Sequence, residues 1–70
     1  MRPLDLLQES LHKRVLVETK GGRSFRGVLD AYDLHLNLVL SQAEEVVGEA
    51  VTGHAGLTLL RGDSVVYVSP

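Results

Sequence analysis

The stretch FRGVLDAYDLHLNLVL, residues 25–40, carries the pattern that decides the fold. In its second half, leucines alternate with Asp33, His35 and Asn37. Alternation with a period of two predicts a half-buried strand, with one row of side chains in the core and the other facing out. Asp and Asn are poor strand formers, and an ordinary solvated face more often carries Thr, Lys or Arg. A carboxylate, an imidazole and an amide in one row therefore indicate a role beyond solubility.

Strand patterns continue on both sides of this stretch. Gly21-Gly22 suits a two-residue hairpin turn after the first strand, and Gly27 inside the second predicts a sharp bend or a close backbone approach. A turn at Gly48-Glu49 and a tight connection at Arg61-Gly62-Asp63 separate the later strands. The predicted strands are RVLVETK (14–20), RSFRGVLDAY (23–32), LNLVLSQAEEVV (36–47), a fourth strand leading to LTLL (57–60), and SVVYVS (64–69).

A short amphipathic helix is predicted ahead of these strands, over residues 3–12. Pro3 suits the first helical turn, where its missing N–H costs nothing, and Leu4, Leu7 and Leu11 form one apolar stripe. We therefore expect a mainly β fold, in which an N-terminal α-helix is followed by five short antiparallel strands. At 70 residues we expect a single domain, and five short strands with a glycine bend suggest a small closed or nearly closed barrel.

Two features leave alternatives open. The segment TGHAG (52–56) is either a turn or a bulge within the fourth strand. The uncharged, β-branched run from Val65 to Val68 has no protecting lysine, and such an edge is prone to aggregation unless another strand pairs with it. That run pairs either within its own barrel or with a neighbouring subunit. Head-to-tail pairing of one edge with a different edge gives a ring if the rotation closes.

Composition limits the possible functions. The chain has no cysteine, and His12, His35 and His54 lie far apart, so we expect no disulfide, no metal site and no other cofactor. A net charge of −2 argues against binding nucleic acid mainly through phosphate contacts. No apolar run is long enough to span a membrane and no signal peptide is visible, which predicts a cytoplasmic protein.

Enzymatic activity is not expected. The serines lie in no GxSxG motif, and the chain has neither a P-loop nor a dinucleotide-binding fingerprint. Glu44 and Glu45 are adjacent in a predicted strand, so they point to opposite faces and do not share a site.

Two motifs resemble those of the Sm/Lsm family, in the form seen in archaeal Sm-like proteins. The first extends from Phe25 through Gly27 to Leu40, within the region 14–47, and includes Asp33, His35 and Asn37. The second is LLRGDSVVYVSP, within the region 57–70. The motifs occur in the family's order with a helix in front. Leu36 is a departure, since the family often has Met there, and TGHAG is less strand-like than expected.

The resemblance implies the Sm fold, a strongly bent five-stranded antiparallel sheet that forms a small SH3-like or OB-like barrel capped by the N-terminal helix. It also implies a homo-oligomeric ring, usually of seven subunits joined through strands four and five. It also implies binding of uridine-rich single-stranded RNA near the pore, with no small-molecule substrate and no membrane partner. The RNA-binding residues carried over by motif are His35, Asn37, Arg61, Gly62 and Asp63, with Asp33 in support.

The chemistry of these residues agrees with that implication. The planar groups of His35 and Arg61 can stack on the two faces of a base. Asn37 places a donor beside an acceptor, which can pair with the edge of uracil. Asp33 and Asp63 only accept hydrogen bonds when ionised, so we expect them to hold loop N–H groups or Arg61 rather than touch an anionic ligand. The alternative is a protein-assembly ring or small-barrel interaction module without RNA binding.

Overall fold

A computed structural model describes residues 2–70 and contains one helix and one five-stranded antiparallel sheet. The strands are ordered β4-β3-β2-β1-β5 across the sheet, so β4 and β5 form its two edges. This arrangement confirms the predicted mainly β fold. The elements are α1 (Pro3–Ser10), β1 (Arg14–Thr19), β2 (Ser24–Tyr32), β3 (Leu38–Val47), β4 (Ala50–Leu60), a 3₁₀ turn (Gly62–Ser64) and β5 (Val65–Ser69).

The N-terminal helix is shorter than predicted. Pro3 begins it, and the Asp5 carboxylate accepts the Arg2 backbone N–H at 3.1 Å, which satisfies one free donor of the first turn. It ends at Ser10 rather than at residue 12, because His12 has a φ of 66°, in the left-handed region. Leu7 is buried in the core, and Leu4 and Leu11 pack against it, as the apolar stripe predicted.

Gly27 lies where the sheet bends. A Cβ built there would lie 2.9 Å from the Ser41 carbonyl oxygen and 3.1 Å from the Ala43 Cα, so only glycine permits this approach of β2 to β3. The β2–β3 register shifts between Arg26 and Val28, and again between Leu29 and Ala31. Such irregularities bend a strand and increase its twist, which explains the strong curvature.

The TGHAG segment is a bulge and not a turn. Strand β4 runs through it without a break, and its register with β3 shifts twice there, so that Ala55 and Thr52 are extra residues of β4. Gly56 accommodates this irregularity at a φ of 67°. The chain reverses at Gly48-Glu49, as predicted, and the first hairpin needs three residues between Thr19 and Arg23 rather than the predicted two.

Residues 33–37 form a loop, so the third strand, predicted to begin at Leu36, includes two loop residues, and the alternation at Asp33, His35 and Asn37 does not mark a strand. Leu34 is 81% exposed and Leu36 39% exposed, and Leu36 has a φ of 62°. Strand β3 begins only at Leu38. Local hydrogen bonds to Asp33 fold this segment, because a carboxylate that accepts nearby backbone N–H groups competes with strand pairing.

The core lies between α1 and one face of the sheet. Its buried side chains come from the helix and from the first four strands. They are Leu7, Val15, Val17, Phe25, Leu29, Leu38, Leu40, Ala43 and Leu60. Within residues 2–70, no helix is both long and apolar enough to cross a membrane.

The two edge strands carry exposed apolar side chains. Strand β5 pairs with β1 on one side only, and β4 pairs only with β3. On β4, Leu57 is 74% and Leu59 65% exposed, while Val66 and Tyr67 are exposed on β5. An apolar groove of about 180 Å³ lies between α1 and β5, and we call it the α1–β5 groove. One apolar edge therefore lies at each end of the sheet.

Candidate nucleic-acid interface

Two loops meet at one end of the barrel and enclose a shallow depression. The first, residues 33–37, joins β2 to β3, and the second, residues 61–64, joins β4 to β5. The depression has a volume of about 560 Å³, and we call it the base site. It is lined by His35, Asn37, Arg61, Gly62 and Asp63. The structure therefore brings together all five residues named from the sequence.

Asp33 organises the first loop. Its Oδ1 accepts the backbone N–H groups of His35 at 2.9 Å and of Asn37 at 3.1 Å, and its Oδ2 accepts the Asn37 side-chain amide at 2.9 Å. These bonds, that of the Asn37 side chain first, hold the pKa of the Asp33 carboxyl below its ordinary value of 3.8. Asp33 does not line the base site and acts by fixing the residues that do.

Asn37 connects the two loops and is held in one orientation. Its Nδ2 donates to Asp33, and its Oδ1 accepts the Gly62 backbone N–H at 2.8 Å. A carboxylate only accepts and an N–H only donates, so the amide fits in this orientation and not in the flipped one. Each amide atom retains one unused hydrogen-bonding position. Asn37 therefore offers a fixed donor and a fixed acceptor to a ligand.

Gly62 permits the loops to touch. A Cβ on Gly62 would overlap the carbonyl oxygen of His35 and lie 3.1 Å from the Leu36 carbonyl carbon. Its neighbours there are backbone atoms, which cannot rotate away as the end of a side chain can. The two loops can therefore lie in contact only with glycine at this position.

The planar side chains of the base site are free to meet a ligand. His35 is exposed, and the Arg61 side chain is 75% exposed while its guanidinium pairs with the Asp63 carboxylate at 3.3 Å. Exposed pairs of this kind contribute little stability, so the ion pair orients Arg61 rather than holding the fold together. A planar cation, an imidazole and a fixed amide around one depression can bind a flat, hydrogen-bonding ring.

The lowered pKa of Asp33 predicts how the first loop responds to acid. The ionised carboxylate stabilises the loop fully above the ordinary value of 3.8, and this contribution is lost as pH falls through the lowered folded pKa. NMR titration of the Asp33 side-chain carboxyl carbon should therefore show its midpoint below 3.8, and the backbone amides of His35 and Asn37 that donate to it should shift over the same range. In Asp33→Asn the acid transition should be absent and both amides should exchange faster already at neutral pH. A midpoint above 3.8 for the Asp33 carboxyl carbon in the unmodified protein would contradict this assignment.

Two other features of this region were not predicted from the sequence. The bond between Asn37 and Gly62 joins residues 25 positions apart and depends on the folded chain. A second depression, lined by Lys20, Arg23 and Arg61 among others, adjoins the base site.

Within residues 2–70, no three His, Cys, Asp or Glu side chains form a group that could hold a metal ion.

A helix followed by a strongly bent five-stranded sheet, with two polar loops joined at one end, defines a small β-barrel of the Sm type. The LSM domain family matches residues 5–70. An snRNP Sm-like protein of Archaeoglobus fulgidus is 55% identical over 69 residues, which cover 99% of this chain and 90% of that protein. The chain therefore belongs to the LSM domain family and is of the archaeal Sm-like type.

Solved structures agree with this assignment. The Sm protein of Pyrococcus abyssii, in complex with a uridine heptamer, matches with a TM-score of 0.94 and 47% identity, covering 100% of this chain and 99% of that one. A heptameric archaeal Sm protein matches with a TM-score of 0.87 and 38% identity, covering 94% and 96% of the two chains.

Proposed function

We propose that this protein forms a homo-oligomeric ring of seven subunits that binds uridine-rich single-stranded RNA near its pore. In this role it acts as a scaffold or chaperone in RNA processing and performs no catalysis. The observation that carries the proposal is the convergence of His35, Asn37, Arg61, Gly62 and Asp63 on one open depression. The similar Sm protein of Pyrococcus abyssii in complex with a uridine heptamer supports the choice of ligand.

The base site suits a single unpaired base. His35 and Arg61 present two flat groups on which the faces of a base can stack, and stacking requires a base free of its duplex partner. The remaining donor and acceptor of Asn37 belong to one amide and can complement the N3–H and an adjacent carbonyl of uracil. Cytosine presents an acceptor at N3 instead, so the fixed orientation of Asn37 favours uracil.

The edges of the sheet support a ring. Strands β4 and β5 each leave one side unpaired, and antiparallel pairing of one subunit's β4 with its neighbour's β5 satisfies both. Leu57 and Leu59 project from β4, and the α1–β5 groove offers an apolar surface beside the other edge. The two edges differ, so the interface is head-to-tail, and the heptamer formed by the archaeal relative supports closure into a ring.

Ring assembly also reconciles RNA binding with the net charge of −2. Each subunit has one base site, and the proposed ring places these sites near the pore. Every copy of Arg61 would therefore lie near the pore. A local concentration of planar cations then binds RNA without a basic protein surface.

We further propose that residues 1–70 form one domain, with motif regions at 14–47 and 57–70. We also propose that the protein acts in the cytoplasm, which suits a chain without cysteine.

Competition between oligouridine and oligocytidine tests this function. His35→Ala and Arg61→Ala should each weaken binding by about 1–3 kcal/mol per base, equally for both oligonucleotides, because stacking tolerates any base. Asn37→Ala should weaken binding and also remove the preference for oligouridine, because it deletes the edge contacts. Fluorescence anisotropy measures both, and native mass spectrometry confirms that each variant remains a ring.

Two results would contradict the proposal. An intact ring that does not bind oligouridine would support an assembly module without RNA binding. An Asn37→Ala ring that retains full preference for uridine would show that another residue reads the base.

A further inference from the structure

The second depression lies beside the base site, and its volume is about 290 Å³. We call it the cationic depression. Lys20 and Arg23 come from the β1–β2 hairpin, Arg61 belongs to both depressions, and the apolar side chains of Phe25 and Leu59 complete much of its wall. Of the residues that the structure describes, no acidic one lines it. The chain has more acidic than basic residues, so three cations around one depression make this part of the surface locally basic.

Arg23 is fixed in place within the cationic depression. Its Nε and one terminal nitrogen donate to the two carboxylate oxygens of Glu45 at 3.0 and 2.8 Å, and its guanidinium lies 5.2 Å from the centre of the Phe25 ring. A guanidinium has five N–H donors, so donors remain for a second acceptor. Arg23 is therefore a preorganised donor whose charge is largely balanced by Glu45.

Lys20 differs, because it has an unbalanced charge. Among residues 2–70, its ammonium group forms no ion pair, whereas Arg23 and Arg61 each face a carboxylate. The Lys20 backbone N–H donates to the Ser64 carbonyl at 2.8 Å, which ties the hairpin to the loop that carries Arg61. The backbone that carries this cation is thus held at a fixed place relative to the base site.

We propose that the cationic depression binds the phosphodiester group next to the base held by His35 and Arg61, with Lys20 as its main cation. This inference rests on the proposed function and extends it from the base to the backbone of the same RNA. A phosphodiester carries one negative charge and two free acceptor oxygens. Lys20 supplies the charge, and the remaining N–H groups of Arg23 supply directed donors.

The site predicts a salt dependence that can be measured residue by residue. Each phosphate bound by a cation on a single strand steepens the fall of log K with log salt concentration by about 0.7. In Lys20→Gln rings, that slope should become shallower by about 0.7 for each phosphate that is no longer neutralised, while the preference for oligouridine over oligocytidine stays unchanged. Lys20→Arg should restore the slope. Anisotropy titrations of labelled oligouridine over a series of salt concentrations provide these values.

Lys13→Gln is the matched control, since it removes the same charge. Lys13 is also exposed but lines neither the base site nor the cationic depression. Its slope should equal that of the unmodified ring. Equal slopes for Lys20→Gln and the unmodified ring, an equal decrease in Lys13→Gln, or a loss of uridine preference in Lys20→Gln would each overturn the proposal. Failure of the unmodified ring to bind oligouridine would instead refute the proposed function.

Discussion

Replacing Gly62 with alanine is expected to eliminate most of the affinity for oligouridine. The new Cβ would overlap the His35 carbonyl oxygen and lie 2.9 Å from its carbonyl carbon, so the two loops must separate. Separation breaks the bond from the Gly62 N–H to Asn37 and moves Arg61 away from His35. Each subunit then loses a stack of about 1–3 kcal/mol per base, and with several subunits engaged the affinity should fall by roughly 100-fold or more.

Gly53→Ala is the control for this substitution. Gly53 lies in β4, and a Cβ there would meet only the Glu45 Cβ, at an ordinary contact distance of 4.0 Å. Both variants should form rings, as checked by native mass spectrometry. The thermal midpoint of Gly62→Ala should also fall, since a hydrogen bond contributes about 1 kcal/mol. If Gly62→Ala bound oligouridine as tightly as Gly53→Ala, contact between the loops would not matter for the base site.

The strands could be predicted from the sequence more accurately than the segment that decides function. Gly27 was informative because a glycine within a strand has few explanations other than a bend or a close approach, and the structure contains both. The five residues of the base site followed from two separate motifs, and the structure places them together. Their roles in binding stay predictions.

The alternation at Asp33, His35 and Asn37 was misleading for a physical reason. A period of two describes which residues are polar, and it does not show whether the backbone is extended or folded by local hydrogen bonds. Asp33 accepts the N–H groups of His35 and Asn37, which favours a tight loop over a strand. The poor strand propensity of Asp and Asn was the signal that could have identified this loop.

Contacts between distant residues could not be predicted in this way. The position of Gly62 against His35 depends on how β3 and β4 pair, and therefore on the bulge in TGHAG, whose nature the sequence left open. The cationic depression likewise requires the β1–β2 hairpin to lie beside the Arg61 loop. Such sites arise from sheet topology, which no local pattern specifies.

Changing both Leu57 and Leu59 to lysine is expected to convert the ring into folded monomers. Both side chains are exposed in the single subunit, so their replacement leaves the core and its buried Leu60 intact. In the proposed ring they pack on the neighbour's α1–β5 groove, and burial of each leucine contributes about 1.5–3 kcal/mol. Two lysines at every interface would remove this contribution and add charges that must lose water. Sedimentation velocity should then show a monomer with an unchanged circular dichroism spectrum.

Leu34→Lys distinguishes this interface from a general response to lower surface hydrophobicity. Leu34 is 81% exposed, more than either leucine of β4, and lies in the loop between β2 and β3, away from both edges of the sheet. Its replacement by lysine should leave the ring intact, because the proposed contact does not involve it. Dissociation of Leu34→Lys would place the subunit interface at the loop end of the barrel. A ring that survives both lysines on β4 would show that main-chain pairing of the edges suffices without the leucines.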